Sequence, residues 1–296
     1  MRMHCLGLDG NGLILLNGQV VATFDNAFIP YEVDLTPHLN TSDNRLHIVF
    51  ECPPRWLGQF GYTSRMTDWK PRFNYYWDWT ARLVQIGIWD RIQLEIIDVA
   101  ELQEISLTTD VDLGRAEGRL RLTGRVSPIG SVLPEGYNVA VTLHDAAGNR
   151  EIQATTIDIA PEDASFAVAW QDLDIELWWP NGHGAQPLYT VTIGLQDADG
   201  VEVDRVTRTV GFKHVTWQPC EDAPADADPW ICEVNGKPIF LQGFNWTPIR
   251  PNFADVEERD YVQRLALYRD LKVNTLRVWG GAYLEKSIFY ELCDAL

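Results

Sequence analysis

The sequence lacks the features of a membrane-spanning, disulfide-stabilised or metal-binding protein. No uninterrupted apolar stretch approaches the about 20 residues that a transmembrane helix needs. The five cysteines are scattered without a C-x-x-C pair, which excludes a dense disulfide framework and the spacing of a zinc ribbon. The six histidines show no metal-ligand spacing, and glycine-rich phosphate-binding patterns are absent. We therefore expect neither a metal nor another cofactor.

Positive charge is also scarce. Lysine and arginine total 24 against 42 aspartate and glutamate residues, which gives a formal net charge of -18 at pH 7. An acidic surface repels nucleic acid and anionic membranes, so neither is expected as the main partner. The chain does not begin with a charged segment and an apolar core, which favours a cytoplasmic location. It opens directly in strand-like sequence, however, as a domain cut near its start would.

The abundant residues are hydrophobic ones, at 46% of the chain, and tryptophan, which occurs 12 times. A length of 296 residues with this composition favours two or three globular domains. Most of the indoles are expected to pack in sheets and cores. Some could bind carbohydrate instead, because indole faces stack on the apolar C–H faces of pyranose rings.

Two blocks of strand-like sequence make up the first 215 residues. In the first block, Asn17-Gly18 predicts a hairpin turn between the apolar runs 13–16 and 20–24, and the aromatic segment from Pro53 to Thr80 is a long irregular loop of the kind that is often functional. In the second block, turn signals recur at the spacing of an antiparallel sandwich of immunoglobulin type. The strands predicted there are 120–124, 139–143, 165–169, 188–193 and 206–210.

After residue 218 the spacing of the apolar residues changes from that of strands alone to that of alternating strands and helices. The Asp-, Ala- and Pro-rich segment 219–229 is expected to be an interdomain linker. Asp255 to Glu258 resembles a capping box, which predicts a helix to Leu271, followed by a strand at 273–278 and a second helix. Alternating strands and helices with polar residues at the strand ends are how a TIM (β/α)₈ barrel begins, but a barrel needs about 250 residues. Only about 60 follow Ile239.

The candidate site residues lie at the ends of the two predicted barrel strands, where such barrels place their chemistry. They are Asn245, Trp246, Arg277 and Trp279. Arg277 could hold a carboxylate bidentately or could form a structural ion pair. Trp279 could be exposed on a tight loop or could pack against the rim. Neither strand end supplies a carboxylate, whereas retaining glycoside hydrolysis needs two, about 5–5.5 Å apart.

Asp78 is a further candidate in the aromatic loop, between Trp77 and Trp79. A carboxylate between two indoles could accept hydrogen bonds from sugar hydroxyls. The residues alone favour the alternative, in which Asp78 caps a turn between packed aromatic rings.

Several separated motifs add a resemblance to these patterns. The motifs in the first part of the chain are Asn17-Gly18, Asp25 to Phe28, Pro30-Tyr31, Trp77-Asp78-Trp79 and Gly87 to Trp89. The later ones are Leu177 to Gly182, Pro187 to Tyr189, Gly211-Phe212, Asn235 to Ile239, Asn245-Trp246, Arg277 to Gly281 and Phe289 to Asp294. In this order they resemble the β-mannosidase branch of glycoside hydrolase family 2.

The resemblance implies three domains: a galactose-binding-like jelly roll (1–98), an immunoglobulin-like β-sandwich (99–216), and a linker with the first two β/α units of a TIM barrel (217–296). It implies retaining hydrolysis of a terminal β-D-mannoside through a glycosyl-enzyme intermediate. In that reaction Arg277 would support the nucleophile, the strand ends with Asn245, Trp246 and Trp279 would line the pocket, and Asp78 and Trp79 would reach the sugar.

The sequence contains no counterpart of the family's catalytic residues. The family places its acid/base in an Asn-Glu pair later in the barrel and its nucleophile Glu beyond that, and no Asn-Glu dipeptide occurs in this sequence. We therefore expect a fragment, cut at both ends, that is inactive by itself.

Two alternatives remain open. The family usually has Gly before the first Trp of Trp77-Asp78-Trp79 and Gly-Pro after the second, whereas this chain has Tyr76 and Thr80-Ala81. An exo-β-glucosaminidase or another family 2 exo-glycosidase is therefore one alternative. A non-catalytic carbohydrate-binding protein built from two sandwiches is the other.

Overall fold

A computed structural model describes residues 1–57, 67–130 and 132–296. Within these ranges the chain forms twenty β-strands and two α-helices. Part of the aromatic loop predicted from Pro53 to Thr80 lies outside the described residues. By the proximity of Cα atoms, the chain divides into two compact units: Met1–Ile96, Phe244–Leu265 and Leu276–Tyr290 in the first, and Ile97–Gly243, Ala266–Thr275 and Glu291–Leu296 in the second.

The strands of the first unit's amino-terminal part are short. They are β1 (Arg2–Cys5), β2 (Leu8–Asp9), β3 (Gly12–Leu16), β4 (Gln19–Phe24), β5 (Tyr31–Asp34), β6 (Leu46–Phe50), β7 (Gly87–Ile88) and β8 (Ile92–Glu95). They pair antiparallel in the orders β5-β1-β8, β4-β3-β6 and β2-β7. A buried core of Met3, Ile14 and Phe24 with neighbouring apolar side chains joins the two three-stranded sheets. The predicted hairpin is present, with Asn17 at φ 53° and Gly18 at φ 80°, as its tight turn requires.

The second unit contains longer strands with regular alternation of buried and exposed residues. They are β9 (Ala100–Asp112), β10 (Glu117–Pro128), β11 (Asn138–His144), β12 (Glu151–Asp158), β13 (Ser165–Leu173), β14 (Tyr189–Gln196) and β15 (Glu202–Val210). A three-stranded sheet, β13-β10-β9, and a four-stranded sheet, β12-β11-β14-β15, share one large apolar core. The five strands predicted from the sequence are all present, and the turn spacing missed β9 and β12.

The remaining elements are β16 (Val215–Gln218), β17 (Ile231–Val234), β18 (Lys237–Ile239), β19 (Gly243–Trp246), α1 (Glu258–Asp270), β20 (Thr275–Val278) and α2 (Ser287–Ala295). The segment 219–229 connects β16 to β17, which are antiparallel neighbours in one sheet, and so it is a hairpin connection in place of the expected linker. Helix α1 begins after the predicted cap. At its start the Asp260 carboxylate accepts a hydrogen bond from the Glu257 backbone N–H at 3.0 Å.

Strands β19 and β20 form a two-stranded parallel sheet. The backbone N–H of Asn274 donates to Gln242 and that of Trp279 donates to Trp246, so the partners advance together along both strands. Their carboxyl ends therefore lie at the same edge. The described residues form no closed barrel, and this edge carries the candidate site.

Candidate functional site

The polar part of the site is a contact between the ends of the two parallel strands. Arg277 Nη1 donates a hydrogen bond to Asn245 Oδ1 at 3.2 Å, and both residues are exposed. Within the described part of the chain, the other guanidinium N–H groups have no partner. They are therefore open to a ligand or to a carboxylate from elsewhere.

The aromatic part of the site brings together Trp279 and Trp79, two residues 200 positions apart in the sequence. The Trp279 ring lies edge-to-face on Trp77, at 5.1 Å between centroids, and on Trp79, at 6.0 Å. Phe73 lies 5.3 Å from Trp79 and 6.3 Å from Trp279. We call the group Trp77, Asp78, Trp79, Asn245, Arg277 and Trp279 the rim.

Gly281, the second of the two glycines after Trp279, accommodates the orientation of the Trp279 ring. A Cβ atom at Gly281 would lie 2.2 Å from Cζ2 of the Trp279 indole, so only glycine lets the ring fold over the chain. The loop from Trp279 to Lys286, which we call the rim loop, therefore begins with a sequence-encoded bend.

Asp78 lies at the exposed tip of a tight turn. The Trp77 and Thr80 backbones exchange hydrogen bonds of 3.3 and 3.4 Å on either side of it. Just before this turn, Tyr76 has φ 141°, in a region that favours glycine. This is the position at which the chain departs from the family's usual glycine. The buried Trp79 Nε1 has no hydrogen-bond partner among the described residues, so a donor is left for a bound hydroxyl or water.

Trp246 occupies a different environment from the rest of the rim candidates. Its side chain is buried, with its ring 4.7 Å from that of Phe289 and 6.3 Å from that of Tyr261. Its Nε1 donates to Glu285 Oε1 at 2.9 Å. The structure thus buries the Trp246 indole against Tyr261 of α1 and Phe289 of α2, whereas the neighbouring Asn245 is exposed and belongs to the rim.

Glu285 is a buried carboxyl group that the sequence analysis missed. Besides Trp246, the Tyr261 hydroxyl donates to Glu285 Oε2 at 2.7 Å. Burial raises the pKa of Glu285, against the opposing effect of these two donors. Burial and the neighbouring carboxyl group also raise the pKa of Tyr261. No local pattern distinguishes this glutamate from the chain's many exposed ones.

A second buried network was missed as well. Lys70 Nζ lies 2.5 Å from Asp9 Oδ1, and both side chains are only 2% exposed. The Tyr283 hydroxyl donates to the other Asp9 oxygen, and Asn74 Nδ2 donates to the Tyr283 hydroxyl at 3.4 Å. Burial raises the pKa of Asp9 and lowers that of Lys70, and the attraction between the two charges opposes both shifts.

This arrangement can bind an uncharged polyhydroxylated ligand but does not offer the two free carboxylates of a glycosidase. Of the three carboxyl groups described above, Asp9 and Glu285 are buried and hydrogen-bonded, and only Asp78 is exposed. Across the ranges that the structure covers, no three His, Cys, Asp or Glu side chains are grouped to hold a metal ion. No helix in those ranges is long and apolar enough to cross a membrane.

Two family models match this chain. Residues 1–90 match the Glycosyl hydrolase 2 galactose-binding domain-like model, and residues 100–213 match the Glycosyl hydrolases family 2 model. The chain belongs to glycoside hydrolase family 2. The first match agrees with the amino-terminal sandwich and the second with the immunoglobulin-like one.

Relatives within the family carry the name β-mannosidase. Beta-mannosidase B of Aspergillus terreus is 27% identical over 98% of this chain and 35% of its own length. Beta-mannosidase B of Aspergillus fumigatus is 28% identical, with the same coverage of both chains. The chain therefore spans about a third of the length of the curated relatives it matches.

Solved structures agree on the fold. The β-D-mannosidase of Dictyoglomus thermophilum superposes with a TM-score of 0.83 at 26% identity, over 99% of this chain and 37% of that chain. The exo-chitosanase CsxA of Amycolatopsis orientalis superposes with a TM-score of 0.73 over 100% of this chain and 32% of that one. Its identity is 19%, so this second match supports the fold alone.

Proposed function

We propose that this chain is the amino-terminal, substrate-holding part of a retaining exo-glycosidase that hydrolyses terminal β-D-mannosides. The observation that carries the proposal is the rim, in which the Trp279 ring packs on Trp77 and Trp79, while Arg277, two residues before Trp279 in the chain, is hydrogen-bonded to Asn245. Exposed amide, guanidinium and carboxylate groups beside indole rings suit a sugar. The choice of mannose is supported by the names of the relatives.

The proposal also assigns a domain organisation to the chain. We propose a jelly roll over 1–98, an immunoglobulin-like sandwich over 99–216, and a final segment, 217–296, that includes the first two β/α units of a TIM barrel. The parallel pair β19 and β20, each followed by a helix, supports the barrel interpretation. In such a barrel, the edge that carries Asn245 and Arg277 is the catalytic edge.

Each rim residue then has a distinct role. Asp78 accepts hydrogen bonds from sugar hydroxyls, and the indoles of Trp79 and Trp279 bound the terminal subsite. Arg277, held by Asn245, pairs with the nucleophile and keeps it ionised. Trp246 forms the buried floor beneath Asn245, through its bond to Glu285.

Neither the acid/base nor the nucleophile lies in these 296 residues in this proposal. Hydrolysis requires two carboxylates, whereas the ends of β19 and β20 carry an amide and a guanidinium. The 296-residue chain should therefore give no turnover of 4-nitrophenyl β-D-mannoside above a blank. Measurable turnover would contradict the assignment of the catalytic groups.

The experiment that tests the substrate uses the coding sequence beyond Leu296. If the frame continues, the complete polypeptide is assayed on aryl β-mannosides and aryl β-glucosaminides. Asp78→Ala should lower kcat/KM on the mannoside about tenfold or more, because it removes a charged hydrogen-bond acceptor worth about 1.5–3 kcal/mol. Glu162→Ala, on the exposed surface of the immunoglobulin-like domain, is the matched control.

The outcomes separate the alternatives. Activity on glucosaminides alone would transfer the assignment to an exo-β-glucosaminidase. If the frame ends at Leu296 and the chain binds mannose in a calorimetric titration, the protein is a non-catalytic carbohydrate-binding protein.

A further inference from the structure

The rim loop is attached to the first unit's buried interior at Tyr283. The Tyr283 side chain is 2% exposed, and its hydroxyl donates to a carboxylate oxygen of Asp9. The other oxygen of Asp9 pairs with Lys70, whose ammonium group also donates to the backbone oxygen of Gln85 at 2.5 Å. The buried Asp9 carboxylate therefore connects Tyr283 of the rim loop to Lys70. Through Lys70 it is also connected to Gln85, in the segment that follows the turn at Asp78.

The Tyr283 ring is held as firmly as its hydroxyl. It stacks on Trp89, with 4.6 Å between centroids, and on Phe253, with 5.2 Å and an interplanar angle of 18°. Trp89 is itself fixed, since its Nε1 donates to the Ala27 backbone oxygen at 3.1 Å. Stacking and hydrogen bonding thus leave one position for the ring.

Phe73 transmits this position to the rim. Its ring lies edge-to-face on Tyr283, with 6.2 Å between centroids and an interplanar angle of 89°. The same ring contacts Trp79 and Trp279. A displaced Tyr283 would therefore leave Phe73 without its support on one side and would change the packing of both rim indoles on the other.

Stability alone does not account for charged groups at this place. Burying an ammonium and a carboxylate costs several kcal/mol per ion, and well-packed apolar residues often stabilise a protein equally well or better. What the charged network adds is a fixed geometry, because the Asp9 carboxylate accepts a hydrogen bond from Lys70 on one oxygen and from Tyr283 on the other. It therefore fixes the loop in one arrangement, which apolar contacts do less specifically.

We propose that Asp9 is a positioning residue of the rim: by holding Lys70 and Tyr283 at once, it fixes the rim loop so that Trp279 stays against Trp77 and Trp79. The inference rests on the proposed function only in that the indole so positioned is the one assigned to the sugar. Asp9 itself is buried and does not touch the substrate. It acts through Tyr283 and Phe73.

The test follows the Trp279 indole directly in the 296-residue chain. The protein is labelled with 5-fluorotryptophan, and the Trp279 ¹⁹F resonance is assigned from its loss in Trp279→Phe. Tyr283→Phe removes only the hydroxyl that reaches Asp9 and keeps the stacked ring. We expect its Trp279 resonance to shift by more than its linewidth or to split, while the Trp170 resonance of the immunoglobulin-like domain stays in place. Asp9→Asn should do the same where it folds.

A matched control separates position from stability. Tyr189 in the immunoglobulin-like domain is also buried, and its hydroxyl accepts a hydrogen bond from the Glu176 backbone N–H at 2.7 Å. Tyr189→Phe should lower the melting temperature without moving the Trp279 resonance. The proposal is overturned if Tyr283→Phe lowers the melting temperature but leaves the Trp279 resonance where it was.

The readout does not depend on sugar. If Tyr283→Phe moves Trp279 while the complete enzyme fails to hydrolyse mannosides, the positioning role stands and the proposed function fails. If the enzyme is active and Trp279 does not move, the reverse holds.

Discussion

At the scale of the residue, burial decides what each polar side chain does. Glu285 and Asp78 are both carboxylates beside aromatic rings in one compact unit. Glu285 is buried with two donors, whereas Asp78 is exposed at the tip of a turn. The first can therefore only hold structure, and the second can meet a ligand.

Glu285 gives a pH-dependent prediction. Burial raises its pKa in the folded state above the ordinary value of 4.5, so folding favours the protonated form. Its contribution to stability is present below pH 4.5 and is lost as pH rises through the folded-state pKa. Compared with Glu285→Gln, which cannot ionise, wild type should lose unfolding free energy as pH rises from 4.5, by about 1.4 kcal/mol per unit of pKa difference.

Urea denaturation of both proteins at a series of pH values measures this difference. Glu135→Gln, on an exposed loop, controls for the loss of one carboxylate. A difference between wild type and Glu285→Gln that stays constant or grows in favour of wild type above pH 4.5 would contradict the prediction.

At the scale of the element, the Leu177 to Gly182 motif holds helix ends. Asn181 Nδ2 donates to the backbone oxygens of Arg269 at 2.9 Å and Val273 at 3.0 Å, where α1 ends. Trp178 Nε1 donates to the Asp294 backbone oxygen at 2.7 Å, near the end of α2. The motif thus ties down the last turn of α1 together with the residue Val273 that follows it, and it binds a carbonyl group in the last turn of α2.

Asn181→Ala should therefore destabilise the end of α1. The loss of two hydrogen bonds, each worth about 0.5–1.5 kcal/mol, should lower the free energy of unfolding by about 1–3 kcal/mol. Hydrogen exchange should accelerate at the Lys272 and Val273 amides, which close the turn after the helix. Asn149→Ala, in an exposed hairpin turn, is the matched control, and equal effects of the two changes would refute the role of the motif.

At the scale of the whole molecule, two features have opposite effects on self-association: exposed apolar side chains favour it, and a large net charge disfavours it. Trp230, Phe240 and Leu284 are 75%, 82% and 65% exposed, and Leu267 and Leu271 on and after α1 are 59% and 63% exposed. Such side chains favour association, whereas a net charge of -18 keeps molecules apart.

The balance should depend on salt. At low ionic strength we expect a monomer, and at about 0.5 M NaCl, where the screening length falls below about 5 Å, we expect association in analytical ultracentrifugation. Leu267→Glu should weaken this association, whereas Val20→Glu, at a residue 55% exposed on the β3–β4 hairpin, should have less effect. A sedimentation coefficient independent of salt would contradict the expectation.

Local patterns predicted local structure well. The hairpin at Asn17-Gly18, five strands of the immunoglobulin-like sandwich, and the helix and strand positions after Glu258 all follow from turn residues and from period. The segment 219–229 was misassigned as a linker because its composition does not reveal which strands it joins. Register and pairing involve residues far apart in sequence, and no local preference specifies them.

The features of the candidate site also separate into those given by local sequence and those given by tertiary structure. The sequence by itself determined where polar and aromatic residues stand at strand ends, and that Gly280-Gly281 follows Trp279. Only the tertiary structure decided that Asn245 faces out while Trp246 faces in, and that Asp9, Lys70 and Tyr283 meet across 61 and 274 positions of chain. The reason is that burial, which turns an ordinary carboxylate into a fixed anchor, exists only once distant segments have packed together.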